Sequence, residues 1–415
     1  MDLDAHLQQW GWPWPATWRP GHVMAEIERS GLRGRGGAGF PTAVKWRAVS
    51  SRRMRGAVVV ANGAEREPAS GKDRLLLARA PHLVLDGASL AGAAVGAGRV
   101  VAYVPPDMVP TVTAAAAERT RRGLDPTPIE VVPAAPSFVA GEESAVVDHL
   151  NGGPGGRPSF TAVRPVYQRG VQGRPTLVQN VETLAHAALI SRFGAAWFRG
   201  LGTAESPGSA LLTVSGAGRP PAVTEIALGT PLGSVLRFLD ADPASVGAVL
   251  IGGFGGTWLG AGDARRALLS EEGLRPLGAA FGAGVIGVLP PDACPLAETA
   301  HISAYLAAHG AGQCGPCVRG LPALAAVAAA LAWNPSRQTR LVERAGHLGA
   351  QIAGRGACHH PDGAVRLVES SLRAFADHVD AHLNGGPCPG ADAPPVLAVP
   401  DARGRRRLAP AGRTA

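Results

Sequence analysis

The sequence predicts an α/β layer domain, then a small β-grasp-like domain, then a C-terminal four-helix bundle. Three observations predict this. From about residue 21 to 205, helical patterns alternate with short apolar runs, as in stacked α/β layers. From Leu211, short strands and turns take over, punctuated by Gly216, Pro220-Pro221 and Gly229-Thr230-Pro231. From 297 to 385 the pattern is helical, which fits a bundle. The expected boundaries are 1–205 with an N-terminal arm, 206–295, 296–385, and a disordered tail over 386–415 rich in proline, glycine and arginine.

The elements follow in order. Residues 1–20 hold Trp10, Trp12, Trp14 and Trp18 among prolines, and read as an arm tucked against the protein's own surface. Val23 to Leu32 is helical by pattern. Strands are expected at Ala57 to Val60, Val100 to Val104 and Ile129 to Val132, with helices at Pro81 to Val95 and Pro110 to Arg121 between them. In the second domain the strand-like runs are Leu211 to Val214, Thr224 to Leu228, Val249 to Gly256 and Gly282 to Leu289, with a helix near Gly233 to Leu239. The bundle helices are Leu296 to His309, Leu321 to Trp333, Thr339 to Ala353 and Ala364 to Leu383.

Composition narrows the function. The chain has 415 residues, 46% hydrophobic, enough for a large core. Its net charge of +8 is carried almost wholly by arginine, which suits an acidic partner or a dinucleotide phosphate. No compact basic module appears, so nucleic acid is not expected. The one run, Arg403 to Arg407, lies in the tail. No apolar segment reaches the length of a membrane span, and the acidic start lacks a signal peptide's apolar core, so a cytoplasmic location is expected. Five cysteines in such a chain argue for metal or redox use over disulfides.

The chemistry centres on Gly31 to Trp46, GLRGRGGAGFPTAVKW. Gly34, Gly36, Gly37 and Gly39 let the backbone approach a ligand closely. With the Thr42 hydroxyl and the Lys45 ammonium they suit a phosphate. The competing reading is a flexible glycine turn. The G-x-G-x-x-G match is weak here, because a helix rather than a strand precedes it. Lysine occurs only at Lys45 and Lys72, both in candidate site segments, which favours the phosphate cradle.

The second segment, Ala61 to Arg74, reads ANGAEREPASGKDR. Gly141-Glu142-Glu143-Ser144-Ala145 follows, and then Arg174-Pro175-Thr176 running into Asn180-Val181-Glu182-Thr183-Leu184. These ordered motifs resemble the NADH-binding flavoprotein subunit of respiratory complex I and its relatives in hydrogenases and formate dehydrogenases. The resemblance covers about residues 25 to 380. It implies a modified Rossmann-like core holding FMN and a soluble-ligand-binding (SLBB-like) β-grasp domain.

The same resemblance assigns site residues. Gly34, Arg35, Gly36, Gly37 and Lys45 would contact the flavin and its phosphate, and Phe40 would stack on the dinucleotide. Asn62, Glu65, Gly141, Glu142, Val178, Gln179, Asn180 and Thr183 would complete the pocket. Glu143 would hold the nicotinamide end, with Glu67 as the second candidate catalytic carboxylate. Three departures stand out: Ala48 where relatives carry an aromatic, Ala64 where they carry aspartate, and Phe138 where they carry tyrosine.

Relatives hold a [4Fe–4S] cluster with C-x2-C-x2-C and a distant fourth cysteine. Here Cys314 and Cys317 match two ligands, and Cys358, 41 residues on, matches the fourth. The remaining position is Ala311, and His309 is the substitute ligand expected for a [4Fe–4S] centre. Without it a [3Fe–4S] centre or no cluster follows. A lone C-x2-C also suits zinc or a dithiol. Cys294 and Cys388 match no family ligand, and Cys294 reads as core.

The function implied is a soluble NADH dehydrogenase (diaphorase) module. It would take a hydride from NADH onto FMN and pass single electrons, through the cluster if present, to a ferredoxin or another electron-transfer protein. Association with a membrane complex stays open. The alternative is a degenerate, non-catalytic scaffold in an electron-transfer assembly, which Ala48, Ala64 and Ala311 favour. A small-molecule binder acting through the β-grasp domain is a third reading, with no site residues to support it.

Overall fold

A computed structural model describes residues 2–14, 19–51, 56–159, 165–216, 219–240, 242–335 and 340–400. Trp18 and the arginine run of the tail lie outside them. The chain forms two compact units. The first comprises Met1–Arg66, Gly71–Leu211 and Glu225–Leu228; the second comprises Glu67–Ser70, Leu212–Thr224 and Gly229–Ala415.

The first unit is built on a parallel sheet of β1 (Ala57–Asn62), β2 (Ala97–Val104), β3 (Ile129–Pro133) and β4 (Thr176–Asn180). The strand order is β3-β2-β1-β4. Valine-rich runs buried on both faces explain it: Val58, Val59 and Val60 have no exposed surface. The helices are α1 (Leu3–Trp10), α2 (Pro20–Ser30), α3 (Thr42–Ser50), α4 (Lys72–Arg79), α5 (Pro81–Val95), α6 (Val109–Arg121), α7 (Glu143–Leu150) and α8 (Val181–Phe198). One core joins α2, α3, α5, α6 and α8 to a sheet face through Ile27, Trp46, Leu85, Val112 and Leu184. At Gly87 the backbones of α5 and α8 meet, since a Cβ there would lie 2.0 Å from the Leu184 carbonyl oxygen. The arm packs as expected. His6 Nε2 lies 2.7 Å from Asp86, and the Trp14 indole donates to the Leu124 carbonyl at 2.8 Å.

β4 is an element that the sequence does not lead one to expect. It pairs in parallel with β1, in register Asn62↔Asn180. The chain therefore leaves β1 for β2 on one side and returns as β4 on the other. Ligands of open α/β sheets bind at such a reversal, outside the strands' carboxyl ends.

The second unit contains a five-stranded mixed sheet, order β6-β5-β9-β7-β8. Its strands are β5 (Ser209–Gly216), β6 (Arg219–Ala227), β7 (Ala248–Ile251), β8 (Thr257–Gly260) and β9 (Val285–Leu289), with the first residues of β5 and the last of β6 belonging to the first unit. β5 runs parallel to β9, and β7 runs antiparallel to β8 and β9. Short helices α9 (Leu232–Phe238), α10 (Ala261–Arg266) and α11 (Glu271–Leu274) lie between strands in sequence. Then come α12 (Pro295–Ala308), α13 (Leu321–Trp333), α14 (Leu341–Ile352), α15 (His360–Ala374) and α16 (Ala376–Gly385). Leu296, Val327, Leu331, Ile352, Val368 and Val379 pack these helices into one core.

Two expectations change here. A π-helical turn, Pro316–Gly320, runs into α13, so one helix from Pro316 to Trp333 has the length and composition of a membrane span, with mean hydropathy 1.4. Its Leu324, Val327, Ala328 and Leu331 are core residues that pack against the neighbouring helices. The segment following α16 is ordered through residue 400. Ala391, Leu397 and Val399 are buried, and the Glu298 carboxylate accepts the Val396 and Leu397 N–H groups.

Candidate functional site

The glycine loop lies between α2 and α3. It closes on itself, Gly34 N–H donating to the Phe40 carbonyl at 2.9 Å and Arg33 Nε to the Gly39 carbonyl at 2.8 Å. Gly37 and Gly39 have φ of 112° and 60°. A Cβ at Gly36 would lie 3.1 Å from Asn180 Cβ, so a larger residue would push the loop a few tenths of an ångström off the end of β4. Arg35 N–H donates to the Thr183 hydroxyl at 2.8 Å, fixing the loop to α8.

Around this loop the structure gathers Asn62, Gln179, Asn180 and Thr183. The Asn62 amide donates to the Gly141 carbonyl at 2.9 Å. The Asn180 oxygen caps α8 at Glu182 N–H, 3.0 Å, while its amide nitrogen donates to Asp73 at 2.8 Å. Among the buried polar atoms without a hydrogen-bond partner in the described residues are Arg35 Nε in the loop, Thr42 Oγ1 at the start of α3, and Gln179 Oε1 on β4; the last two are the uncharged acceptors. Gln179 Nε2 lies 3.9 Å from the point where a Gly34 Cβ would stand. Leaving such a group unmatched costs about 1–3 kcal/mol, which makes these two atoms ligand-facing candidates.

Beneath them lies a charge network that the motifs did not single out. Lys72 Nζ, almost fully buried, contacts Asp73 at 2.7 Å and Glu182 at 2.8 Å. Burial alone would lower the ammonium, but the two carboxylates hold it raised. Glu182 resists its own burial through Lys72 and is held at about 2. Asp73 is pushed up to about 6 by burial, with Glu65 adding like charge. One cation thus serves two carboxylates, and Asp73 in turn orients Asn180. The signal was present in Lys72-Asp73 and Asn180-Val181-Glu182, but sequence does not show burial.

Several predicted residues are committed elsewhere. Glu65, with φ of 42°, accepts the Asp73 and Arg74 N–H groups at 2.7 and 2.9 Å, capping α4. Glu142 is the N-cap of α7, accepting from Ser144 and Ala145. Glu65 spends both oxygens on a helix end, and Glu142 spends its Oε2. Glu67 belongs to the second unit, where its carboxylate accepts the Phe254 N–H at 3.1 Å. Burial pushes it up to about 7. It therefore does not join Glu143 as a second carboxylate of the first unit. Glu143 is half-exposed and forms an ion pair with Lys45, so Lys45 has a carboxylate partner rather than an open ammonium. The Arg35 guanidinium is buried and donates to the Ser209 carbonyl at 3.0 Å. Phe40 is 51% exposed, available for stacking. Val178 is core and presents no polar group. Ala64 is buried in that same cluster, so its missing carboxylate is replaced by packing.

In the helical part of the second unit, Cys314 and Cys317 flank the start of the π-helical turn, a distortion that often marks functional sites. Burial pushes the Cys317 thiol up to about 11, with the adjacent Cys314 thiol adding to the rise. A Cβ on Gly310 would lie 3.2 Å from Cys317 Sγ and 3.4 Å from His360 Nε2, so glycine leaves space between these donors. His360 was not anticipated; it stands two residues after Cys358. His309 stacks on Tyr305, and its Nδ1 lies 2.9 Å from the Tyr305 carbonyl. Cys314 and Cys317, with His360 nearby, are donors of the kind that hold iron–sulfur clusters.

Two protein families match the chain: the Nuo51 FMN-binding domain over residues 27–188, and the NADH-ubiquinone oxidoreductase-F iron-sulfur binding region over 297–382. The NADH-quinone oxidoreductase-F protein of Mycobacterium bovis is 30% identical over 400 residues, covering 90% of this chain and 87% of that protein. The chain belongs to the NADH-quinone oxidoreductase-F family. A Rhizobium meliloti member of the family is 29% identical, covering 89% of this chain and 90% of that protein. Among solved structures, an NAD+-reducing [NiFe]-hydrogenase in the air-oxidized state superposes with a TM-score of 0.80 at 30% identity, over 92% of this chain. This chain covers 65% of that hydrogenase chain. The family's FMN-binding domain falls on the parallel-sheet unit, and its iron–sulfur region on the helices that carry Cys314, Cys317 and Cys358.

Proposed function

We propose that this chain is an NADH dehydrogenase (diaphorase) module, with FMN held at the carboxyl ends of β1 and β4 beneath the glycine loop. The observation that carries the reading is the pair of unmatched buried atoms, Thr42 Oγ1 and Gln179 Oε1, at a glycine loop seated on a topological switch point. Bound FMN supplies the step between two-electron and one-electron chemistry. The protein's own part is positional. Gly36 gives close backbone approach, Asn62 and Asn180 fix the strand ends, and the Lys72 network holds Asn180 rigid. Lys45, paired with Glu143 here, would be the residue to hold the phosphate, and Glu143 would be the carboxylate for the nicotinamide end. Phe40 supplies an exposed stacking face for the dinucleotide.

Cys314, Cys317 and Cys358 would ligate the cluster, with an imidazole from His360 or His309 in place of the thiolate missing at Ala311. His360 shares the space at Gly310 with Cys317, and because its Nε2 is held 2.8 Å from the Leu306 carbonyl it would have to give up that bond to ligate there. A protein electron acceptor such as a ferredoxin completes the path. We read the five-stranded sheet as a β-grasp of the SLBB-like kind and the helices from α12 to α16 as the bundle of the iron–sulfur region. Soluble, cytoplasmic operation is part of this proposal.

The test is flavin retention. Gln179→Leu removes the unmatched amide, so it should weaken FMN binding at least tenfold while leaving the flavin-free protein as stable as wild type or more so. Fluorescence of released FMN measures the first, and thermal unfolding the second. Wild-type flavin affinity in Gln179→Leu would remove the assignment.

A further inference from the structure

The second unit holds a cluster of donors that the electron-transfer reading does not use. Cys294, His378, His382 and Cys388 each present one ligand atom, and these atoms all lie within 4.8 Å of one another. Sequence separates Cys294 from the other three, which lie close together in the chain. Cys294 is the N-cap of α12, His378 and His382 stand one turn apart on α16, and Cys388 follows in the segment after it. Cys294 Sγ is 3.8 Å from His382 Nε2, and Cys388 Sγ is 3.4 Å from His378 Nε2.

The two sulfur–nitrogen contacts match a tetrahedron around one ion, and the other pairs lie within 4.8 Å. Metal–sulfur bonds of about 2.3 Å and metal–nitrogen bonds of about 2.0–2.1 Å put neighbouring ligands about 3.4–3.8 Å apart. A two-iron cluster would place the thiolates and imidazoles on separate irons, further apart than these mixed contacts allow. The set also differs from Cys314, Cys317 and Cys358, with which it shares no residue.

The surroundings fit a ligand set. His382 is 1% exposed. Its Nδ1 lies 3.0 Å from the Leu331 carbonyl, and its Nε2 accepts the Cys388 N–H at 3.0 Å. Those two partners assign the neutral tautomer with the proton on Nδ1, so Nε2 is the ligand atom, and binding an ion would replace the Cys388 N–H contact it makes here. A backbone carbonyl behind a histidine is the usual outer support of a metal ligand. Cys294 Sγ accepts the Ala297 N–H at 3.4 Å, so a helix N-terminus faces the sulfur.

We propose that Cys294, His378, His382 and Cys388 form a structural zinc site that ties the segment after α16 to the start of α12. Four protein ligands leave no open position, so the site is closed and has no catalytic role. The same segment is also held by the Trp333 indole donating to the Ala391 carbonyl at 2.9 Å and by the buried Ala391 and Leu397 side chains.

The test is elemental analysis of the flavin-loaded full chain, purified anaerobically from zinc-supplemented cells. About one zinc per chain is expected, with an X-ray absorption shell of two sulfurs near 2.3 Å and two nitrogens near about 2.0–2.1 Å. Cys388→Ser and, separately, the milder His378→Gln should each lower the zinc retained against a chelator at least tenfold, with FMN content unchanged. Hydrogen exchange over 386–393 should quicken in both. Four outcomes would overturn the proposal: no zinc in the wild type, iron in its place, zinc retention indifferent to both substitutions, or a Cys294–Cys388 disulfide in protein alkylated under native conditions.

Discussion

Lys72→Met tests the buried network directly. Lys72 contacts both Asp73 at 2.7 Å and Glu182 at 2.8 Å, and all three side chains are almost fully buried. Removing one member of a buried ion pair costs about 3–5 kcal/mol, because the partner charge is left without compensation. At about 2–4 °C per kcal/mol for a unit of this size, the melting temperature should fall by about 6–20 °C at pH 7. The sign of the pH dependence follows from Glu182. Its value near 2 lies below the ordinary 4.5, so the stability it contributes is present above pH 4.5 and lost as pH falls toward 2. Without Lys72 both carboxylates prefer their protons, and the variant's deficit should grow as pH rises from 4.5 to 7 and shrink as it falls. Thermal unfolding of wild type and variant at pH 5, 6 and 7 measures it. Adding Glu182→Gln to Lys72→Met should recover part of the loss. A deficit under about 1 kcal/mol, or one independent of pH, would refute the idea that one buried ammonium serves two carboxylates.

Three further outcomes follow from the structure. Lys45→Ala should weaken FMN binding, and the Lys45→Ala/Glu143→Gln pair should be non-additive in flavin affinity, because each removes the other's partner; additive losses would separate the two residues. Glu67 is raised from 4.5 to about 7, so the folded state holds a proton that the unfolded state has released. Its contribution is complete below pH 4.5 and is lost as pH rises through 7, and Glu67→Gln should flatten that slope by about 1–3 kcal/mol in denaturant unfolding. His360→Ala should lower iron content and alter the paramagnetic resonance signal more than His309→Ala, and the reverse order would return the ligand role to His309.

Much of the fold was legible because helix and strand periods are local. Pro81–Val95 and Ile129–Pro133 fall where apolar spacing put them. β4 was not, because Thr176–Asn180 is short and follows Arg174-Pro175, and its identity as a strand depends on pairing with β1. In the site, the glycine loop, Asn62, Gln179 and Asn180 come together as the motifs implied. The acidic residues divide differently, because a carboxylate that caps a helix reads the same as one that faces a ligand. Glu142 could have been recognised, standing just before the helical run Glu143–Leu150. Glu65 could not, since the helix end it caps begins seven residues later, at Lys72. Cys388 stands just after His378 and His382 in sequence, a spacing that could have been noticed, but only the fold brings Cys294 to them.

The central claim is that this chain oxidises NADH through a flavin held by the glycine loop of its first unit. Anaerobic stopped-flow mixing of the purified protein with NADH, followed at the flavin band, tests it most directly. The account predicts copurified FMN at about one per chain, bleached by NADH, with bleaching slowed in Glu143→Gln while its flavin content holds. Protein that carries no FMN, or whose flavin stays oxidised in excess NADH, would contradict it and favour a scaffold.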